Sequence, residues 1–137
     1  MFKTVGPAIA WMSIIFITSS LTGAQLTNSE VTEITRKFIP SNILSIFVHI
    51  IEFAILTLLY FRAGIRYWPS SKITVSIISI TLSICYGVSD EFHQSFIKDR
   101  DQSWMDVLYD TFGSIVALGI IITKQKFSKH KINRVVQ

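Results

Sequence analysis

The sequence predicts an all-α integral membrane protein with four transmembrane helices, and three observations lead to this fold class. Half of the 137 residues are hydrophobic. They follow neither the alternation of a half-buried strand nor the one-sided stripe of a surface helix, but form four long apolar blocks. Each block is close to the roughly 20 residues that a helix needs to cross a bilayer core. A soluble helical bundle is the alternative, and the apolar pattern disfavours it.

The blocks cover residues 5–21, 43–61, 73–88 and 105–123. The third is the shortest and contains several serines and threonines, so its helix needs part of the 86–91 segment, or a locally thinner bilayer, to span. Cys85 is the chain's one cysteine and lies inside this block, where a buried apolar role is predicted. We expect residues 1–123 to form a single transmembrane domain, followed by a basic cytoplasmic tail at 124–137.

Charge predicts the orientation in the cell membrane. Of the 13 lysines and arginines, nine lie before block one, between blocks two and three or after block four, and no carboxylate accompanies them. The positive-inside rule therefore places both termini and the loop 62–72 in the cytoplasm. Loops 22–42 and 89–104 then face outward. The basic tail is expected to contact anionic lipid head groups rather than nucleic acid.

Block one has a second interpretation, as a secretory signal peptide. Lys3 precedes the apolar run and small residues follow it at Thr22-Gly23-Ala24. Cleavage would leave three spans and move the cations of loop 62–72 outside, against the charge rule, so four spans are predicted. Loop 22–42 is also predicted to contain a short amphipathic outer helix, which starts near Thr27 and ends at Pro40.

His49 and Glu52 are the first ionisable residues inside an apolar block. They lie three residues apart and so share one face of the second helix. A charged carboxylate at such a depth costs roughly 2.5–3.5 kcal/mol unless it is paired, protonated or hydrated. Two interpretations stay open: a structural His–Glu bond that holds helices together, and a functional site.

The segment 90–113 holds six of the nine carboxylates. Phe92 and Phe96, four residues apart in this segment, are expected to hold it against the bundle if the helix continues. Asp106 and Asp110 lie four residues apart on the fourth helix, where like charges repel, so a cation, a metal ion or a shared proton is implied. Asp106 also has a structural alternative, as part of the cap of a helix that starts at Ser103. Gly113 lies on the same face of this helix, one turn after Asp110, and would let another helix approach closely.

The alternating helix directions gather these polar residues into one outward-facing pocket. Carboxylates beside histidines can perform acid–base catalysis or bind a divalent metal ion, so a metal cofactor is left open. Serines near a membrane helix end have a structural alternative, because they often bond back to their own backbone. The candidate catalytic residues are Asp90, Glu91, His93, His49, Glu52 and Asp106. The candidate substrate-binding residues are Arg100, Gln94, Ser19, Ser20 and Asp110.

Several of these residues fall in a pattern that resembles the signature of VanZ-like membrane proteins, sDEiHQ…pgR…DvlaNtlG. Here residues 89–94 read SDEFHQ, Arg100 follows, and residues 106–113 read DVLYDTFG. HIIEF at 49–53 resembles a further family run, and the family shares the serine pair that ends helix one. Two departures stand out: Lys98-Asp99 replaces the family's Pro-Gly, and Asp110 replaces its asparagine.

The resemblance implies a bacterial cell-envelope protein. The family is named for a protein associated with low-level resistance to the glycopeptide teicoplanin, and the motif names no reaction. The function expected is action on a lipid-linked or amphiphilic envelope molecule, with membrane lipids as partners; whether the protein is an enzyme stays open. The alternative is a non-enzymatic transport or binding component coupled to ions or protons.

Overall fold

The computed structural model describes residues 2–21, 40–98, 100 and 103–135. These residues form four α-helices and no strand, which confirms the predicted all-α class. The helices are α1 (Phe2–Ser19), α2 (Ser41–Tyr67), α3 (Lys72–Gln94) and α4 (Trp104–Val135). The amphipathic helix predicted in loop 22–42 falls on residues 22–39, outside the described residues.

Three of the helices contain segments long and apolar enough to cross a membrane, namely Ile43–Tyr67, Lys72–Gln94 and Trp104–Lys124. The apolar segment of α1, Lys3–Ser19, is shorter. The protein is therefore a multi-pass membrane protein by length and composition, while the fourth span and the position of the termini stay predictions. The segment Lys72–Gln94 includes residues 89–94, so α3 gains length from the polar residues that follow its apolar block.

The helices hide polar side chains and expose apolar ones, the reverse of a water-soluble bundle. Glu91 and Asp110 are each 1% exposed, whereas Ile73 is 74% exposed. Soluble monomers rarely show large contiguous apolar surfaces, and hydrocarbon chains of a bilayer would cover this one. The apolar exterior also explains a wrong prediction: Cys85 is exposed rather than buried, because an apolar position in a membrane helix can face lipid.

Helix α2 contacts each of the other three helices, most extensively α4. At that crossing Gly113 meets the backbone of α2, and a Cβ there would overlap the carbonyl oxygen of Ile50. The predicted close approach of a helix at Gly113 is therefore confirmed. Glycine at this position lets two helices pack backbone to backbone.

An apolar cluster on α1 and α2, formed by Ile15, Phe53 and Leu56, lies beside the polar residues described below. Hydrogen bonds also fix α1 against its neighbours, and two of them are accepted by backbone carbonyls. The indole N–H of Trp11 donates to the carbonyl of Glu52 at 2.9 Å, and the hydroxyl of Tyr86 donates to the carbonyl of Met12 at 2.7 Å. Both bonds place the middle of α1 next to α2 and α3.

Candidate functional site

The polar candidates collect at one end of the bundle, where α1 and α3 end and where α2 and α4 begin. The described cations of the helices and the α2–α3 turn lie at the other end. Lys3 lies at the start of α1, Arg62 and Arg66 near the end of α2, Lys72 at the start of α3 and Lys124 at the end of the α4 span. The end with the acidic residues and the end with the basic residues are thus separated by the length of a membrane span. The residues at the acidic end form three contact groups.

The first contact group centres on His49. Its Nδ1 lies 2.9 Å from Oδ1 of Asp110, and its Nε2 lies 3.7 Å from Oδ2 of Asp106. The imidazole therefore sits between two carboxylates that are one turn apart on α4, which supplies the partner that their repulsion requires. A carboxylate can only accept, so the ring donates from Nδ1 to Asp110. Asp106 faces His49 and its backbone N–H bonds the carbonyl of Ser103, not a capping hydroxyl.

Asp110 is held in a space that glycine creates. A Cβ at Gly87 would lie 2.8 Å from Oδ2 of Asp110, so a larger residue on α3 would displace the carboxylate. That oxygen is buried and has no hydrogen-bond partner among the described residues. Asp110 thus bonds through one oxygen and keeps a second, buried oxygen unpaired.

Glu91 is the most deeply buried acid of α3, with 1% of its surface exposed. Its Oε2 accepts the backbone N–H of Ser103 at 2.9 Å, which ties the end of α3 to the start of α4. Its Oε1 is buried and unpaired within the described part of the chain. One carboxylate oxygen of Glu91 lies within 4.8 Å of a ring nitrogen of His49 and of a carboxylate oxygen of Asp106, so Glu91 belongs to the first group.

Glu52 is half-buried on the same helix as His49. In the described segments no hydrogen bond joins the two side chains, because both ring nitrogens of His49 face α4. A structural bond between His49 and Glu52, one of the two interpretations above, is therefore not what the structure contains. Glu52 is within electrostatic reach of residues of both the first and the second group, namely His49, Asp110, Asp90 and Arg100.

The second contact group is a chain of three side chains. The amide nitrogen of Gln94 donates to Oδ2 of Asp90 at 2.7 Å. Its amide oxygen accepts two bonds from Arg100, from Nε at 3.1 Å and from Nη2 at 2.5 Å. Arg100 is half-buried and pairs with a neutral oxygen, and no described carboxylate lies within ion-pair distance of its guanidinium.

The third contact group joins α1 to α3. The hydroxyl of Ser20 donates to the carbonyl of Phe16 at 2.6 Å and lies 3.0 Å from Nε2 of His93. With its proton directed at the backbone, Ser20 accepts from the imidazole, an arrangement that positions His93 rather than activating a serine nucleophile. The ring of Phe16 stacks on His93 at 4.6 Å. Ser19 is buried and also bonds the carbonyl of Phe16, at 3.1 Å.

Both serines therefore follow the structural alternative, and only Ser20 also reaches a candidate catalytic residue. The sequence interpretation missed three contributors to this end of the bundle: the backbone N–H of Ser103, the ring of Phe16 and the indole of Trp11. None carries a sequence signal of its own, since each acts through a neighbour on a different helix. Phe92 and Phe96, expected to pack against the bundle, are instead exposed and contact each other.

The family comparison agrees with the residue pattern. A family model described as VanZ/LLP1 matches residues 4–125, which include every residue of the three contact groups. No curated protein and no solved structure matches the chain.

Proposed function

The chain belongs to the VanZ/LLP1 family, and from this premise we propose that it acts on the cell envelope by binding the polar head of an amphiphilic or lipid-linked molecule. The observation that carries the proposal is a buried polar site at one end of helices that otherwise expose apolar side chains. Intramembrane ionisable residues are expensive to bury and mark ligand or ion pathways by default.

The surroundings of the site favour an amphiphilic ligand over a freely soluble one. Phe16, which stacks on His93, is 51% exposed, and Phe92, at the end of α3, is 63% exposed. A molecule with an acyl or polyprenyl chain can place that chain on these side chains and its head group among the polar ones. A purely polar solute would gain nothing from them.

The charges suggest an anionic head group with its charge near Arg100. The site is rich in carboxylates, which repel an anion, so the half-buried guanidinium is the group that can attract one. In an enzymatic version, Asp90, Glu91 or His93 transfers the proton, while His49 and Glu52 support them. Four spans with cytoplasmic termini would place this site outward, and the cations near the opposite end of the bundle support that orientation.

The test is to express the full-length protein in a Gram-positive host that lacks it and to measure teicoplanin susceptibility and the composition of extracted envelope lipids. We expect Asp90→Asn and His93→Ala to abolish any change in either readout at unchanged membrane abundance. Ser89→Ala, on the exposed side of the same helix turn, is the matched control and is expected to behave as wild type.

Each outcome decides between the candidate functions. A chemical change in envelope lipids that depends on Asp90 supports the enzymatic version. Flux that depends on the proton gradient, with unchanged lipids, supports the transport alternative. If both variants are absent from the membrane while Ser89→Ala is present, the polar residues serve folding and the proposal is overturned.

A further inference from the structure

Three side chains of the first contact group have the composition and spacing of a metal site. His49, Glu91 and Asp106 each offer one ligand atom, and these three atoms lie within 4.8 Å of one another. They come from three different helices, α2, α3 and α4. In a tetrahedral site with metal–ligand distances of about 2.1 Å, two ligand atoms lie about 3.4 Å apart. The longest pair therefore has to close by about 1.4 Å or less, which requires rotation of the carboxylate side chains.

Glu91 gives an independent indication that something is bound here. Its Oε2 is satisfied by the N–H of Ser103, but its Oε1 is buried and unpaired among the described residues. Buried carboxylate oxygens without partners are rare and costly, and a bound ion is one of their ordinary explanations. Since Glu91 is 1% exposed, bulk water does not satisfy that oxygen.

His49 is oriented as a metal-ligating histidine would be. Its Nδ1–H is bonded to the buried Asp110 at 2.9 Å, which leaves the lone pair of Nε2 directed toward Asp106, 3.7 Å away. Metal-bound histidines commonly donate their other N–H to a carboxylate in this way, which fixes the tautomer and the ring orientation. Asp110 is thus a positioning residue for His49.

We propose that His49, Glu91 and Asp106 bind one divalent transition-metal ion, with Asp110 holding the imidazole in place. Imidazole nitrogen suits zinc, copper, iron and nickel, while carboxylate oxygen suits magnesium, calcium and manganese. For one nitrogen and two oxygens we therefore expect Zn²⁺ to bind more tightly than Mn²⁺, and Mn²⁺ more tightly than Mg²⁺. Two carboxylate ligands neutralise the ion's double charge, and three protein ligands leave a coordination position open. An ion at this place would polarise a phosphoryl or carbonyl oxygen of a bound head group.

The proposal goes beyond the proposed function, since all three ligands belong to the protein and no envelope molecule is needed. The experiment uses the full-length protein in detergent micelles, stripped of metal with a chelator and titrated with Zn²⁺, Mn²⁺ and Mg²⁺ by calorimetry. We expect one Zn²⁺ per chain, weaker binding of Mn²⁺, and weakest binding of Mg²⁺. X-ray absorption at the zinc edge should report one imidazole and two carboxylates at about 2.0–2.2 Å.

Variants distinguish the residues that bind the metal ion from those that only lie near it. His49→Ala and Glu91→Gln are expected to lose Zn²⁺ binding, and Asp110→Asn to weaken it by about 10–100-fold, as expected for the removal of an outer-shell partner. His93→Ala and Cys85→Ser remove the other histidine whose side chain the structure describes and the chain's one cysteine, and they should leave the affinity unchanged.

If a variant does not fold, zinc binding by the wild-type protein still tests the proposal. Failure of the wild type to bind Zn²⁺, a sulfur ligand at the zinc edge, or equal binding by wild type and His49→Ala would each overturn the metal site. None of these results bears on teicoplanin susceptibility or on lipid composition, so the metal site and the envelope function fail separately.

Discussion

Replacing Gly113 with alanine tests whether the close contact of α2 and α4 sets the geometry of His49. The new methyl group would lie 2.9 Å from the carbonyl carbon of Ile50 and 3.0 Å from its Cα. Carbon atoms pack comfortably at about 3.5–4.0 Å, so the helices must separate by roughly 0.5–1 Å. The obstacle is backbone, which cannot rotate away as a flexible side chain would.

The separation acts directly on the polar site. His49 precedes Ile50, and Asp110 lies three residues before Gly113, so the 2.9 Å bond between the two side chains lies next to the contact that is forced apart. At roughly 3.5–4 Å the bond is lost. Losing a hydrogen bond to a charged group costs about 1.5–3 kcal/mol, and overpacking costs about 1–3 kcal/mol. Alanine's better helix propensity returns about 1 kcal/mol, so we expect a net loss of about 2–5 kcal/mol.

The assay is equilibrium unfolding in mixed micelles, with Gly119→Ala as the control on the same helix. A Cβ at Gly119 meets nothing within 4 Å, so that variant should be neutral or more stable by up to about 1 kcal/mol. Zn²⁺ titration of both variants adds a second readout, since only Gly113→Ala moves His49. If Gly113→Ala is as stable as Gly119→Ala, α2 and α4 do not pack backbone to backbone at Gly113.

Two further substitutions test individual hydrogen bonds by the same unfolding measurement. Tyr86→Phe removes the 2.7 Å bond to the carbonyl of Met12 while keeping the ring, and should cost about 1 kcal/mol. No loss would mean that this bond does not contribute to holding α1 against α3. Gln94→Leu removes the amide that joins Asp90 to Arg100. Buried Asp90 and half-buried Arg100 then lose a hydrogen-bond partner, so the free energy of unfolding should fall by about 2–4 kcal/mol. Unchanged stability would show that water replaces the amide at this end of the bundle.

The sequence predicts the helices well because each long apolar block has one stable form in a bilayer, the hydrogen-bonded helix. It also predicts, from Asp106 and Asp110 alone, that a partner must lie between two carboxylates one turn apart. The sequence does not identify this partner, because His49 lies 61 residues from Asp110 and any of several groups could occupy that position.

The errors share one physical cause. Cys85 and the pair Phe92 and Phe96 were predicted to face the bundle because apolar residues of soluble proteins are drawn inward from water. In a membrane the outside is also apolar, so the rule no longer separates inward from outward positions. The polar residues are the better guide here, since Asp90, Glu91 and Gln94, all selected from the sequence as candidates, are buried.

Asp110 connects the packing, the site and the proposed ion. In the pattern that the chain resembles, this position is asparagine, whose amide oxygen could accept the N–H of His49 just as the carboxylate does. The aspartate here adds a negative charge and a second oxygen that is buried and unpaired, opposite Gly87. Added negative charge behind an imidazole makes its other nitrogen a stronger ligand. The departure from the family pattern therefore favours a cation on the far side of His49, between Glu91 and Asp106, where the ligand atoms converge.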